Sequence, residues 1–266
     1  MRKMKDKRVV FVTGASFGIG AAAAKALVKE GYTVYGLSRR GTAPDGVTPL
    51  ACDVSDPLAV QRAVDEVLLR EGRIDHALLS AGCGISGAVE FISPTEAERQ
   101  MAVNFSGVDN ALRSLTPALR QSRGRVLIIS SVAAVFPIPF QAHYAAGKAA
   151  LNSFVRAYGI EVSPFGIQAG CLMLGDCATG FTDARQKSLV GDALYGGRIE
   201  GGVRSMERSE RRGTRPEKIA KKIVRLMKKR RLPSLCTAGL AYKLLVFLSK
   251  ILPIRLQNFI LSRLYG

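Results

Sequence analysis

The chain of 266 residues has no tryptophan, only two histidines and only five cysteines. Those cysteines, Cys52, Cys83, Cys171, Cys177 and Cys236, are odd in number and scattered, with no CxxC pair. A disulfide framework and a zinc site are both unsupported on that count, so reduced thiols and no metal are expected. Long apolar runs are missing too. No stretch reaches the roughly 18–20 uninterrupted apolar residues that a spanning helix needs. The basic N-terminus, Met1 to Arg8, leads only into Val9 to Val12 and then glycines. That is the pattern of a strand, not of a signal-peptide core. A cytoplasmic location is the resulting expectation.

Acid is scarce in particular places. The net charge is +18, yet residues 9–203 carry equal numbers of acids and bases. Residues 204–231 hold thirteen bases against Glu207, Glu210 and Glu217, and residues 240–266 have four bases and no acid. The excess therefore sits at the two ends and mostly in the C-terminal third. Such a distribution reads either as solvated helix faces or as a surface for anionic lipid or an acidic partner. The 204–231 run lacks interleaved aromatics, which argues against nucleic acid.

What is present is an alternation of strands and helices. Arg8 to Thr13 is a β-branched run suited to a buried parallel strand. It enters Thr13-Gly14-Ala15-Ser16-Phe17-Gly18-Ile19-Gly20, and an alanine-rich helix over Ala21 to Glu30 follows. Thr33 to Ser38 is the second strand. Glycines between strand and helix in such a βαβ unit allow backbone N–H groups to approach a pyrophosphate. Arg39 and Arg40 follow the second strand, with Ser38 where an acid would take a ribose 2′-hydroxyl. An arginine there accommodates a 2′-phosphate, which favours NADP(H) over NAD(H).

Further along, Pro49 to Val54 predicts a third strand ending at Asp53, and Pro57 to Glu71 a helix. Ile74 to Ser80 is a fourth strand and Thr95 to Leu119 one long helix carrying Asn104. Arg125 to Ser131 is a fifth strand, His143 to Glu161 a helix, and Gly166 to Leu174 a sixth strand. The whole reads as α/β: one doubly wound parallel sheet, a Rossmann fold. Tyr144 and Lys148 lie four apart on one helix face. A lysine ammonium beside a phenol favours the phenolate and should draw its pKa down from about 10. Ser131, at the end of the fifth strand, can converge with Tyr144 on one carbonyl oxygen. His143, Cys171 and Cys177 read as structural.

Over roughly residues 7–180 these features resemble the short-chain dehydrogenase/reductase family. Thr13-Gly14-x-x-x-Gly18-x-Gly20 matches its cofactor loop, Asp53-Val54 its adenine-contacting pair, and Asn104, Ser131, Tyr144 and Lys148 its catalytic tetrad. The resemblance implies hydride transfer between a nicotinamide and a carbonyl carbon. Tyr144 would be the proton donor, Ser131 would orient the carbonyl and Lys148 would support the tyrosine and hold the nicotinamide ribose. Asn104 would hold a relay water. It further implies cofactor contacts from Gly14, Ser16, Phe17, Gly18, Ile19, Gly20, Arg39, Asp53, Val54, Ala81, Gly82 and Thr179, with Tyr144 and Lys148. A homo-oligomer is also implied.

Two departures stand out. Leu79-Ser80-Ala81-Gly82 replaces the family's Asn-Asn-Ala-Gly, and Leu174-Gly175 replaces its Pro-Gly. Phe17 occupies a loop position that is basic in some NADP-preferring members.

Residues 180–214 correspond to the family's substrate lid, and their many glycines predict mobility. Thr214-Arg215-Pro216-Glu217 starts a helix that runs to about Arg231, with Ile219, Ala220, Ile223, Leu226 and Met227 as its apolar stripe. A catalytic domain over 1–239 and an amphipathic basic extension over 240–266 are expected. The extension reads as two short helices divided at Pro253. It either packs on the pocket or a second copy, or lies on an anionic membrane together with 204–231. The leading expectation is an NADP(H)-dependent carbonyl reductase or alcohol dehydrogenase for a lipophilic substrate: a steroid, a retinoid-like compound or a long-chain keto lipid. The alternative is a non-catalytic NADP(H)-sensing protein on the same fold.

Overall fold

A computed structural model describes residues 7–265. The basic charge read on residues 1–6 lies outside the described residues. Seven strands form one parallel sheet: β1 Val9–Thr13, β2 Thr33–Ser38, β3 Thr48–Ala51, β4 His76–Leu79, β5 Arg125–Ser131, β6 Gln168–Leu174 and β7 Leu235–Thr237. Their order across the sheet is β3-β2-β1-β4-β5-β6-β7. The direction of winding therefore reverses between β1 and β4, which opens a crevice at the carboxyl ends of those strands.

The sheet is buried on both faces, as alternation along β1 makes clear. Val10 and Val12 pack with Ala24 and Leu27 of α1 (Gly18–Lys29) and with Ile223, Leu226 and Met227 of a helix over Pro216–Lys228. Val9 and Phe11 face the other way. They join Val60, Val64 and Val67 of α2 (Pro57–Glu71), Leu112 and Leu115 of a helix over Gly107–Ser122, and Leu151 and Val155 of one over Ala142–Val162. The apolar stripe in the basic run thus belongs to the core, and Lys218, Lys221, Arg225 and Lys228 are turned outward.

Several elements differ from the sequence reading. The long helix expected over Thr95 to Leu119 is two: α3 (Pro94–Met101) and α4 (Gly107–Ser122), joined by a π-helical segment Ala102–Ser106. The Val54 side chain packs where a Cβ at Gly107 would lie, 2.7 Å from its Cγ2. The third strand stops at Ala51, so Asp53 and Val54 lie in the connection beyond it. The first helix begins at Gly18, so Gly18, Ile19 and Gly20 form its first turn.

The lid segment is organised. α5 (Ala142–Val162) and β6 lead to a helical turn Phe181–Ala184 and a two-residue strand Gln186–Lys187, which pairs with Ile85–Ser86. α6 (Arg198–Arg211) follows, with Ile199, Val203 and Met206 buried at helical spacing. Glycines serve the turn before it, since Gly191, Gly196 and Gly197 all take positive φ. α7 (Pro216–Lys228) ends where Arg125 Nη1 donates to the carbonyls of Met227 and Lys229. The chain then adds β7, a strand the sequence reading did not contain, and α8 (Leu240–Leu248) and α9 (Ile254–Tyr265). No described helix is long and apolar enough to cross a membrane.

Candidate active site

β1 delivers the chain to Gly14, whose φ is +70° and whose hypothetical Cβ would lie 2.8 Å from the Ala81 backbone. Only glycine fits where two strand ends come this close. The buried Thr13 hydroxyl closes the same seam by accepting from the N–H groups of Ser80 and Ala81, at 3.1 and 3.2 Å. A Cβ at Gly20 would lie 2.2 Å from the Gly14 carbonyl oxygen. The amino end of α1 has no side-chain cap at Phe17 and no acidic residue in its first turn. A glycine cradle against an uncapped, acid-free helix start fits a pyrophosphate.

The crevice opens into a cleft. Gly14, Phe17, Ile19, Ala81, Gly82, Ser131, Tyr144, Lys148 and Thr179 all line it, so the structure brings these sequence-predicted residues together. Ser16, Gly18, Gly20, Arg39, Asp53, Val54 and Asn104 do not. Gly18 sits behind, with Thr179 3.6 Å from its hypothetical Cβ. Val54 is buried, and its carbonyl accepts from Asn110 Nδ2 at 3.0 Å. Arg39 is exposed at the end of β2. The Ser38 hydroxyl beside it donates to the Thr42 carbonyl and accepts from the Thr42 N–H. Burial works to raise the Asp53 carboxyl, but hydrogen bonds from Ser55 and the Arg39 charge hold it below its ordinary value. Arg39 and Asp53 thus lie near each other, just beyond the carboxyl ends of β2 and β3.

Asn104 is buried, and both ends of its amide are taken. Oδ1 accepts from the Cys83 N–H at 2.8 Å, and Nδ2 donates to the Cys83 carbonyl at 2.9 Å. The side chain therefore fixes the 81–83 loop and is not among the residues lining the cleft.

Tyr144 and Lys148 lie on the first turns of α5, with the lysine Nζ 5.7 Å from the phenol ring centroid. The lysine is buried and donates to the Ile129 carbonyl at 3.0 Å. Burial pushes its pKa down to about 8. The phenol moves opposite to the sequence expectation. Burial pushes it up to about 12, with the Ser131 hydroxyl and the Arg185 charge opposing. In the protein alone, desolvation outweighs these two influences.

The other half of the cleft is formed by residues to which the sequence reading gave no functional role. Ile138, Leu174, Phe181 and Met206 give it an apolar wall, and Gln141, Asp176, Cys177 and Glu210 add polar groups. Glu210 is held by the buried Arg185, whose Nη1 and Nη2 donate at 3.0 and 2.5 Å, and by the Thr182 hydroxyl at 2.7 Å. Tyr242 of α8 fills the space above Gly175, its ring lying 2.1 Å from where a Cβ would be. Its hydroxyl donates to Asp176 Oδ2 and accepts from the Asp176 N–H, at 2.8 and 3.0 Å. Leu174-Gly175 in place of Pro-Gly was the one sequence signal for this arrangement. No cluster of metal-binding side chains occurs among the described residues.

Residues 8–189 match the short chain dehydrogenase family. The chain is 34% identical over 264 residues to the 3-ketodihydrosphingosine reductase of Bacteroides thetaiotaomicron, covering 97% of this chain and 98% of that protein. It is 30% identical over 194 residues to the NADPH-dependent 1-acyldihydroxyacetone phosphate reductase of Saccharomyces cerevisiae, covering 68% of this chain and 65% of that one. A crystal structure of a short-chain dehydrogenase from Streptomyces avermitilis superposes with a TM-score of 0.83 at 28% identity, over 93% of this chain and 94% of the other.

Proposed function

The chain belongs to the short-chain dehydrogenase/reductase family and is an oxidoreductase, and from that premise we propose that it reduces the ketone of a long-chain lipid with NADPH. The observation that carries the reading is the cleft itself. Ser131, Tyr144 and Lys148 stand between a glycine cradle and an apolar wall of Ile138, Leu174, Phe181 and Met206. A nicotinamide cofactor bound in the cradle would supply the hydride. Tyr144 gives its proton to the carbonyl oxygen. A phenol near 12 remains a much stronger acid than the alcohol it creates. Ser131 donates to the same oxygen and orients it. Lys148 holds positive charge beside the phenol as the proton leaves. With its pKa near 8, that support weakens as pH rises through this value.

Three observations favour NADP(H) over NAD(H). Arg39 is exposed at the adenosine end of the crevice, Ser38 replaces the acid that would claim a 2′-hydroxyl, and the yeast relative is named as NADPH-dependent. Both named relatives are reductases of keto lipids, which agrees with the apolar wall. In this reading residues 1–239 are the catalytic unit, 180–214 cover the substrate, and 240–266 are an appended extension. The extension lies on an anionic membrane from which the lipid is drawn. Leu244, Leu245, Phe247, Ile251, Phe259 and Ile260 are exposed on it beside Lys243, Lys250, Arg255 and Arg263. Assembly as a homo-oligomer accompanies the reading through the family alone.

The test is NADPH oxidation with long-chain ketones by wild type and Tyr144→Phe. Loss of the general acid should lower kcat by about 10²–10⁴-fold. Turnover unchanged in Tyr144→Phe would defeat the mechanism, and Arg39→Leu should erode the preference for NADPH over NADH.

A further inference from the structure

The charged groups that line the cleft are Lys148, Asp176 and Glu210, and their partners differ sharply. Lys148 is committed to the Ile129 carbonyl. Glu210 is neutralised by Arg185, whose side chain is 2% exposed, and both its oxygens are occupied. Asp176 has no ion-pair partner among the described residues. Its carboxylate receives one neutral donor, the Tyr242 hydroxyl on Oδ2. Burial, its largest influence, raises the Asp176 carboxyl, the Tyr242 hydrogen bond draws it part of the way back, and Glu210 raises it further with Arg185 opposing. An uncompensated carboxylate in an apolar cleft is relieved by a cation.

Position makes this relevant to the reaction. β5 and β6 pair in register, Ser131 beside Leu174, so Asp176 follows two residues beyond the partner of Ser131. The Asp176 backbone is fixed from both sides, its N–H on the Tyr242 hydroxyl and its carbonyl accepting from Thr214 at 2.9 Å. A second group in the same cleft points to a polar ligand. Gln141 is 4% exposed, lines the cleft three residues before Tyr144, and its buried Nε2 has no hydrogen-bond partner. A buried amide donor without an acceptor costs free energy until something supplies one.

We propose that the substrate carries a cationic amino group next to its reacting carbonyl, received by the Asp176 carboxylate, with the Gln141 amide donating to an oxygen at the same end of the molecule. The inference rests on the keto-lipid reading above. It divides the work of the cleft: the apolar wall takes the chain, Ser131 and Tyr144 take the ketone, and Asp176 with Gln141 selects the head.

The test compares three ketones of one chain length at pH 7: a long-chain 2-amino-3-ketone, its N-acetyl derivative and the des-amino 3-ketone. A charge-assisted contact should give the free amine at least a tenfold advantage in kcat/KM over the other two in wild type. Asp176→Asn keeps an acceptor for Tyr242 while removing the charge, and should compress that ratio to within about threefold. A wild-type ratio near one overturns the proposal without need of any variant, as does a ratio that survives in Asp176→Asn. Reduction of the des-amino ketone with no amine preference would overturn this inference and leave the keto-lipid reading intact. Failure to reduce any of the three would overturn both.

Discussion

The body of the molecule and its last two helices obey different rules. Along β1 every residue is buried, and α2 buries Val60, Ala63, Val64 and Val67 on one face. Among the described residues, α8 and α9 bury none. Among the described residues, ten of the nineteen exposed large hydrophobic residues lie between Leu240 and Leu264. The body is also neutral across 9–203, whereas 240–266 carries only positive charge. The same apolar residue types therefore do two jobs. In the body they are consumed by packing, and in the tail they remain outward with lysine and arginine alongside. An amphipathic pattern whose large apolar residues stay exposed is what an interface with another phase requires.

The difference should be plainest in stability. Gly20→Val places a side chain where a Cβ already meets the Gly14 carbonyl at 2.2 Å. Equilibrium denaturation should show a loss on the order of 4 kcal/mol, with loss of cofactor binding. A loss under about 1 kcal/mol would mean that the cradle is looser than its geometry.

A second effect in the body is a pH dependence that the tail cannot supply. His76 on β4 is buried, and neither ring nitrogen has a partner. Burial first, and then the Arg125 charge, push its pKa down to about 4. Above pH 6.5 the ring is neutral in both states. Between 6.5 and 4 the unfolded chain takes up a proton that the folded chain refuses, so stability falls as pH falls through that window. The loss should approach about 3 kcal/mol near pH 4. His76→Phe should flatten this part of the profile in thermal melts, and an unchanged slope between pH 6.5 and 4 would assign it to the carboxylates instead.

Tail substitutions should behave in reverse. Leu245→Glu with Phe259→Glu changes exposed positions, so folding stability should stay within about 0.5 kcal/mol of wild type. Partitioning onto vesicles containing anionic lipid should fall by about 2 kcal/mol, roughly thirtyfold, in flotation. Binding that persists in this variant would end the membrane reading.

This contrast also explains what could be read from the sequence. β2, α2 and β5 lie at the bounds expected, because their ends are marked chemically. Asp56 caps α2 by accepting from Leu58, Pro57 opens it, and Gly72 closes it with φ of 68°. Gly14, Ser131, Tyr144 and Lys148 were legible because a strand-turn-helix context and a helical spacing fix them locally. The stripe of α6 was not, since Ile199, Val203 and Met206 are diluted by glycines and charges. β7 spans three residues, too few for any periodicity. The π-helical segment around Asn104 leaves no trace in residue types. Asp176, Gln141, Glu210 and Arg185 meet only through tertiary packing of the lid, and Tyr242 joins them only because the tail folds back.

Tyr242 is one place where the two regions touch, beside the contact of Ser205 with the Leu264 carbonyl, and it yields the smallest effect. Its ring occupies the space that Gly175 leaves open, and its hydroxyl serves both the carboxylate and the N–H of Asp176. Tyr242→Phe keeps the ring and removes the hydroxyl, so the packing contribution stays and about 1 kcal/mol of hydrogen bonding goes. Burying the phenol has already pushed its pKa up to about 12, so it remains a neutral donor across the working range and no pH term enters. The loss should be local. Amide exchange should quicken over 240–248 and at 175–177 while β1 and β4 are unchanged, because the body does not lean on the tail. If exchange quickened equally across the central strands, the tail would be part of the core after all, and the distinction between the two regions would fail at this shared contact.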